Sequence, residues 1–201
     1  MPSTATAPPD PARRSARARR AVLDATADLI AEKGYATVTV EAIAARAGVG
    51  KGTIYRWWPS KAAVAIDLLC EIAEQTTGYP ETGDLAADLR TQLQALAGVL
   101  TPARTSPLAG VIAEGLQNPD VARELRERLV EPQIELLKNR LRHAQDGGQL
   151  SSDADLDVAL YLLYGPLHYR LLYDMGVPSV DEFDTLITHA LKALNQSGSA
   201  S

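Results

Sequence analysis

The sequence predicts an all-α protein of about nine helices, and three observations carry this prediction. Alanine and leucine are the commonest residues, whereas aromatic residues make up only 5% of the chain, and this composition favours helices over strands. Apolar residues recur at helical spacing, and no stretch alternates apolar and polar residues over the length of a strand. Glycine, proline and N-capping residues divide the helical pattern into segments.

Each predicted helix is bounded by recognisable start and stop residues. Thr39 is a good N-cap for a short helix that ends at Gly48, a residue that tolerates the left-handed backbone of a tight turn. Pro132 and Pro166 lie inside helical patterns, where each removes a backbone donor and is expected to kink or break its helix. The predicted helices span about residues 17–33, 40–47, 51–57, 61–77, 83–100, 106–117, 119–146, 153–175 and 180–195.

The charge distribution divides the chain into a basic N-terminal part and an acidic remainder. Residues 1–61 carry ten basic and five acidic side chains, a net charge of +5, whereas residues 62–201 carry ten and twenty, a net charge of −10. This pattern is typical of a small polyanion-binding module on an acidic body, although a solvated basic surface without a partner would look the same. We predict a disordered basic arm at 1–15, an N-terminal domain at 16–76 (the head), a C-terminal helical bundle at 77–195 (the body) and a flexible tail at 196–201.

Several classes of protein are excluded by what the sequence lacks. Cys70 is the single cysteine and cannot form an intrachain disulfide, and no apolar run approaches the roughly 18 residues of a membrane span. We therefore expect a cytoplasmic protein that does not enter a membrane. The string GVGKGT resembles a phosphate-binding loop, but Ala45 and Gly52 stand where that motif needs glycine and a hydroxyl residue. No metal or other cofactor is expected, because metal-ligand spacing is absent among His143, His168 and His189.

Residues 39–58 have the spacing of a helix-turn-helix. Val49 follows the glycine of the turn and fills the gap between the two helices, while Ile54 and Trp58 form the buried side of the second helix. The residues predicted to pack the two helices together are Ile43, Ala44, Ala47, Gly48, Val49, Ile54 and Trp58. This packing leaves an outward set made of Lys51, Gly52, Thr53, Tyr55 and Arg56. Cationic and hydroxyl donors beside a glycine are what a helix needs to enter the major groove of DNA.

The segment from Arg19 to Lys61, RRAVLDATADLIAEKGYATVTVEAIAARAGVGKGTIYRWWPSK, resembles the DNA-binding domain of the TetR family of transcriptional regulators. The matching landmarks are Gly34-Tyr35, Thr37, Thr39, the turn from Ala44 to Val49, the run Gly52-Thr53-Ile54-Tyr55, and Lys61. The resemblance covers about residues 16–76, and the remainder looks like one of the family's divergent ligand-binding domains. It implies a homodimer that binds a pseudo-palindromic operator in double-stranded DNA and that a small effector releases.

The resemblance also implies roles for the exposed residues of this segment. Thr39, Tyr55, Trp57 and Lys61 are expected to hold phosphates, and Lys51, Gly52 and Thr53 are expected to approach base edges and backbone. Arg56 lies where the family varies with operator sequence, so we expect it to read a base, most naturally guanine. Trp57 is commonly His or Tyr in the family, and burial in the core remains an alternative to its phosphate contact.

The helix predicted at 153–175 is apolar nearly all round, so it must be buried on several sides. In the resembled family this helix and the last one form a four-helix dimer interface, to which we assign Leu163, Gly165, Leu167, Phe183, Ile187 and Leu191. The same helix carries Tyr161, Tyr164 and His168, apolar side chains with polar tips that suit a pocket for a small, largely apolar effector. Packing in the core with satisfied hydroxyls is the alternative for these three.

The sequence is thus interpreted as that of a ligand-released repressor without catalytic residues. Two other functions remain compatible with it. A protein of this fold that binds DNA constitutively would serve as an activator or an architectural protein. An all-α enzyme or small-molecule carrier would need no DNA, and the outward set counts against that alternative.

Overall fold

The structure, a computed structural model, describes residues 11–76, 78–100 and 102–196. Within those ranges it contains α-helices and short 3₁₀ and π turns but no strand, so the prediction of an all-α fold is confirmed. The helices are α1 (Pro11–Lys33), α2 (Val40–Ala47), α3 (Lys51–Tyr55), α4 (Lys61–Thr76), α5 (Leu85–Leu100), α6 (Pro107–Gly115), α7 (Pro119–Leu125), α8 (Glu131–Asp146), α9 (Leu156–Leu172) and α10 (Val180–Gln196). No helix in the described ranges is both long enough and apolar enough to span a membrane.

A π-helical turn at Arg126–Val130 joins α7 to α8, so the two form one helical run where the sequence predicted one helix. Its cause lies at the start of α8, where Pro132 has no N–H to donate to the carbonyl of Arg128, four residues earlier. The thiol of Cys70 on α4 donates to that carbonyl, with 3.4 Å between sulfur and oxygen. With α7 and α8 counted as one run, the described chain has the nine predicted helices.

Two expectations about prolines and chain ends are corrected. The predicted disordered arm is too long, because α1 begins at Pro11 and residues 11–15 are helical. Proline fits the first turn of a helix, and the alanines and arginines that follow are good helix formers. α9 continues through Pro166 without a break. Residues 1–10 and 197–201, predicted as arm and tail, lie outside the described residues.

The buried apolar side chains form one core that extends from the head into the body. In the head, α1 packs against α2 and α4, whereas in the body α5 packs against α10 and α8 against α9. α4 belongs to both parts, since its first turns are buried in the head and the helix also contacts α6 and α7. α4, the helix that follows the helix-turn-helix, therefore packs against both the head and the body.

Candidate nucleic-acid interface and effector cavity

The helix-turn-helix consists of α2, a tight turn and α3. Thr39 caps α2, because its Oγ1 accepts a hydrogen bond from the amide of Ala42 at 3.2 Å. Gly48 ends α2 with a left-handed φ of 66°, and the amide of Val49 donates to the carbonyl of Ala44 at 3.0 Å. These bonds set the direction in which α3 leaves the turn.

The contact between α2 and α3 rests on a few buried side chains. Among the predicted packing residues, Ile43, Ala44, Ile54 and Trp58 are at most 5% exposed. Ala47 and Val49 are half-buried against the same core, and Gly48 is exposed in the turn. Ile54 is the buried side chain of α3 itself, so that helix is anchored by this isoleucine and by Trp58 just beyond its end.

The outward surface of α3 is open to solvent. Four members of the outward set, Lys51, Gly52, Tyr55 and Arg56, are exposed, and Thr53 is half-buried. No atom lies within 4 Å of the position that a Cβ on Gly52 would occupy, so the backbone there is accessible to a large partner. α3 ends at Tyr55, two residues earlier than predicted, and a turn continues to the tryptophans.

The two cations of this surface differ in their partners. The ammonium of Lys51 lies 2.7 Å from a carboxylate oxygen of Glu41, and this hydrogen bond raises the pKa of Lys51. Arg56 has no carboxylate partner among the described residues, and its guanidinium carbon lies 5.2 Å from the centroid of the Trp57 ring. The donors of Arg56 are therefore available to an external acceptor.

The two tryptophans have different environments. Trp58 is 3% exposed, and its indole nitrogen donates to Asp67 at 2.8 Å. Trp57 is half-buried and meets Trp58 edge to face, with 5.4 Å between ring centroids and an interplanar angle of 88°. Its ring both packs on the core and lies against Arg56, so each alternative that the sequence left open for Trp57 retains a physical basis.

Lys61 is half-buried and already has partners within the head. Its ammonium donates to the carbonyl of Tyr35 at 3.2 Å and lies 4.2 Å from the centroid of the same tyrosine ring. The hydroxyl of Tyr35 donates in turn to Glu114 of α6 at 2.7 Å. Sequence reasoning missed this link between head and body, because the tyrosine and the glutamate are 79 residues apart.

A cavity of about 500 Å³ lies between α4, α5, α6, α9 and the run from α7 to α8. Tyr161, Tyr164 and His168 of α9 all line it, so the structure brings the three predicted effector residues together. The apolar part of the wall consists of Leu69, Ile72, Ala73, Leu96, Val99, Leu108, Ile112, Leu125, Leu129, Val130, Ile134 and Leu160. Among the described residues, no group of three or more His, Cys, Asp or Glu side chains could hold a metal ion.

The polar groups of the cavity wall differ in whether they already have hydrogen-bond partners within the protein. The hydroxyls of Tyr164 and Tyr79 are hydrogen-bonded to each other, and burial raises the pKa of both. Nδ1 of His168 is bonded to the carbonyl of Tyr164 at 2.9 Å. Gln92 is 6% exposed, and its side chain makes no hydrogen bond to any residue that the structure describes. Gln92 was not predicted from the sequence, although a polar residue beside Leu89 and Leu93 on the apolar face of α5 was a usable signal.

Four residues of the predicted dimer interface are core residues of the protomer itself. Leu163, Leu167, Phe183 and Ile187 are at most 3% exposed, so they have no surface to offer a partner and the prediction is wrong for them. Leu191 is half-buried and Gly165 is exposed. The physical reason is that α10 turns its apolar stripe towards α5 and α9 of its own chain, a choice that periodicity alone does not reveal.

An apolar row lies instead on the outer face of α9. Val158, Tyr161, Tyr169 and Leu172 are 44–68% exposed, and together with Gly165 they recur every three or four residues. That spacing places them on one side of the helix, and we call this row the α9 stripe. Large apolar side chains gathered on one exposed face are typical of an interaction surface.

An open helix-turn-helix joined to a helical body that encloses a largely apolar cavity defines a DNA-binding transcriptional regulator. The chain belongs to the TetR family. Residues 22–68 match the model of bacterial regulatory proteins of the tetR family, and residues 79–190 match the model of the tetracyclin repressor-like C-terminal domain. The resemblance stated from the sequence is thereby confirmed.

The chain is similar to regulators from several bacteria. It is 38% identical over 153 residues to the uncharacterized HTH-type transcriptional regulator YdeS of Bacillus subtilis (strain 168), and the match covers 76% of this chain and 77% of YdeS. It is 33% identical over 180 residues to the uncharacterized HTH-type transcriptional regulator Rv1556 of Mycobacterium tuberculosis (strain ATCC 25618 / H37Rv). This match covers 90% of this chain and 88% of Rv1556. The crystal structure of the TetR family transcription regulator SCO0332 is 35% identical with a TM-score of 0.73, covering 87% of this chain and 97% of that one.

Proposed function

We propose that the protein is a homodimeric repressor that binds a pseudo-palindromic operator and leaves it when a small ligand fills the cavity. The observation that carries this proposal is the pairing of two features in one protomer. The outward set on α3 is open to solvent, and a cavity of about 500 Å³ adjoins α4, the next helix of the head. Such a volume falls within the range of small-molecule sites, roughly 300–1,000 Å³. A regulator that bound DNA constitutively would not need this cavity.

In the proposed complex, α3 of each protomer enters the major groove. Arg56 reads a base, since it is exposed and has no carboxylate partner among the described residues, and a guanine edge offers it two acceptors. Lys51 exchanges Glu41 for the DNA, because a phosphate or base oxygen competes for the same ammonium. The other contacts with phosphate, sugar or backbone come from Thr39, Gly52, Thr53, Tyr55, Trp57 and Lys61.

The dimer is built on the α9 stripe. Two copies that pack this face together remove several half-exposed aromatic and aliphatic side chains from water, which is the main favourable term in most protein association. Gly165 supports a close approach of two helices, because no atom within 4 Å occupies the space beside it. Leu191, half-buried on α10, is the remaining member of the predicted interface that fits this arrangement.

The ligand is largely apolar and carries at least one uncharged hydrogen-bonding group. The cavity wall is mostly leucine, isoleucine and valine, and a charged ligand without a counter-charge would lose its hydration there. Gln92 supplies both a donor and an acceptor that have no partner in the described chain. His168, Tyr161 and Tyr164 provide the remaining polar contacts on α9.

Fluorescence anisotropy of the purified protein with the DNA upstream of the gene that encodes it tests this proposal. A duplex of the same length and composition but scrambled sequence is the control. We expect affinity for the upstream DNA to exceed that for the control by 10³-fold or more, as is typical of specific regulators. Equal affinity for the two duplexes would contradict sequence-specific repression.

A further inference from the structure

One carboxylate joins the head to the wall of the cavity. Asp67 lies in the middle of α4, and its side chain is 13% exposed. One of its oxygens accepts from the indole nitrogen of Trp58 at 2.8 Å and from Arg19 of α1 at 2.9 Å. The other oxygen accepts from Arg128 in the π turn. Each oxygen thus binds a different part of the molecule.

The three donors keep this carboxylate ionised. Burial by itself raises the pKa of Asp67, but the hydrogen bonds from Arg128, Trp58 and Arg19 outweigh it and lower the pKa below its ordinary value. Arg128 is held in place by a second carboxylate, since its other terminal nitrogen donates to Glu124 at 2.8 Å. The cluster is therefore a charged joint between α1, α4 and the π turn.

On the head side, the joint holds the residue that anchors the recognition helix. Trp58 lies three residues after the end of α3, and its amide donates to the carbonyl of Ile54 at 2.9 Å. Its ring is buried and supports Trp57, which lies against Arg56. The direction of the Trp58 indole and the position of the C-terminal end of α3 are consequently linked.

On the body side, the joint is attached to the cavity wall. Leu129 and Val130 follow Arg128 in the same π turn, and both line the cavity. Leu69, two residues after Asp67 on α4, lines it as well. Displacement of Leu129 or Val130 by a ligand would act on Arg128 in the same turn, and π-bulges are frequently found at functional sites.

We propose that Asp67 is a positioning residue for operator binding, and that its pair with Arg128 transmits the state of the cavity wall to α3. This inference rests on the proposed function and specifies the residues through which it is regulated. When Arg128 is bonded to Asp67, the head is held in one orientation relative to the body. When that bond is lost, Trp58 and Arg19 still bind Asp67, but the orientation of α3 no longer depends on the cavity.

The test compares two arginines of the same π turn. Arg128→Ala removes the bond to Asp67, whereas the matched control Arg126→Ala removes an arginine that pairs with Glu131 at 3.2 Å and does not reach the head. The chain has two tryptophans, so its ¹H–¹⁵N spectrum contains two indole signals. We expect Arg128→Ala to shift the Trp58 indole signal, to speed its hydrogen exchange and to weaken operator binding about 5–150-fold, the usual range for coupled sites.

Further variants separate positioning from mere stability. Arg128→Lys keeps the positive charge and should restore part of the affinity and of the Trp58 signal. In the double variant Asp67→Asn/Arg128→Ala, the loss of affinity should be no greater than in Asp67→Asn alone. Arg128→Ala then removes a bond that Asp67→Asn has already disrupted. Leu129→Ala alters the cavity wall beside Arg128 and should shift the Trp58 signal, whereas Leu160→Ala alters the wall on α9 and should leave that signal in place.

Three results would overturn the proposal. The first is an equal effect of Arg126→Ala and Arg128→Ala on the Trp58 signal. The second is a shifted Trp58 signal with unchanged operator affinity, and the third is additive losses in the double variant. A wild-type protein that binds no DNA would instead contradict the proposed function, while the Trp58 signals of the two cavity variants would still decide whether the joint transmits the state of the wall.

Discussion

Gly110 of α6 lies so close to Tyr35 of the head that a Cβ built on the glycine would be 2.3 Å from the Cβ of the tyrosine. The close approach lets the Tyr35 hydroxyl reach Glu114 one turn further along α6. Head and body are therefore in contact through Tyr35 as well as through Asp67. The contact at Gly110 depends on the absence of a side chain.

Alanine at two glycines should have opposite effects on stability. Gly110→Ala forces Tyr35 away and should lower the free energy of unfolding by about 1–3 kcal/mol. Gly98 of α5 has no atom within 4 Å of the position that a Cβ would occupy. Gly98→Ala should therefore raise the free energy of unfolding by about 0.5–1 kcal/mol, because alanine has the higher helix propensity. Urea unfolding of both variants measures the difference, and shifts of the same sign would show that α6 does not press on Tyr35.

Arg56→Ala should reduce discrimination between DNA sequences. We expect a loss of about 1–3 kcal/mol on the operator and a much smaller loss on unrelated DNA, because a base contact contributes only at the correct base. Arg46→Ala is the control, since that arginine is also exposed in the helix-turn-helix but is paired with Glu32 at 2.8 Å. If Arg56→Ala loses the same binding free energy on the operator and on unrelated DNA, Arg56 contacts the DNA backbone and not a base.

Lys61→Ala should weaken binding to all sequences alike. A phosphate contact contributes about 0.9 to the slope of log affinity against log salt concentration, so the slope should fall by about one. Lys192→Ala, an exposed lysine of α10, should leave the slope unchanged. If Lys61→Ala also leaves it unchanged, the ammonium serves only to hold Tyr35.

Charge on the α9 stripe should produce monomers. Leu172 is 62% exposed at the end of the stripe, and Leu172→Glu would place an unpaired charge in the proposed interface, which is costly. Leu136→Glu is the matched control, because that leucine is 42% exposed on α8. Sedimentation velocity should show monomers for the first variant and dimers for the second. A dimer that persists in Leu172→Glu would mean that the subunits meet elsewhere.

Local sequence signals predicted the elements of the head well, because each depends on neighbours along the chain. The cap at Thr39 and the left-handed turn at Gly48 follow from side-chain reach and backbone sterics. The bond between Asp67 and Arg128 joins residues 61 positions apart, and no periodicity encodes such a pair. The π turn was missed for a related reason, since Pro132 signals a disturbed helix without indicating how the disturbance is accommodated.

The body shows the same limit on a larger scale. A helix that is apolar nearly all round, as α9 is, must be buried on several sides, but the sequence does not say which side meets its own chain. Leu163 and Leu167 are buried in the protomer, whereas Tyr169 is 57% exposed and Tyr161, which also lines the cavity, is 68% exposed. Four of the six residues assigned to the interface are therefore core residues, although the helix itself was correctly identified.

Release of the operator by ligands tests whether the cavity controls DNA binding. Operator binding should be measured against a chemically mixed panel of ligands, with the wild type and with Gln92→Leu, Tyr164→Phe and His168→Ala. Gln94→Leu, two residues away on α5 and outside the cavity wall, is the control. We expect release by an uncharged, largely apolar compound, at higher concentration in the cavity variants and at the same concentration in the control. Release by a polyanionic metabolite, undiminished in all three cavity variants, would contradict it.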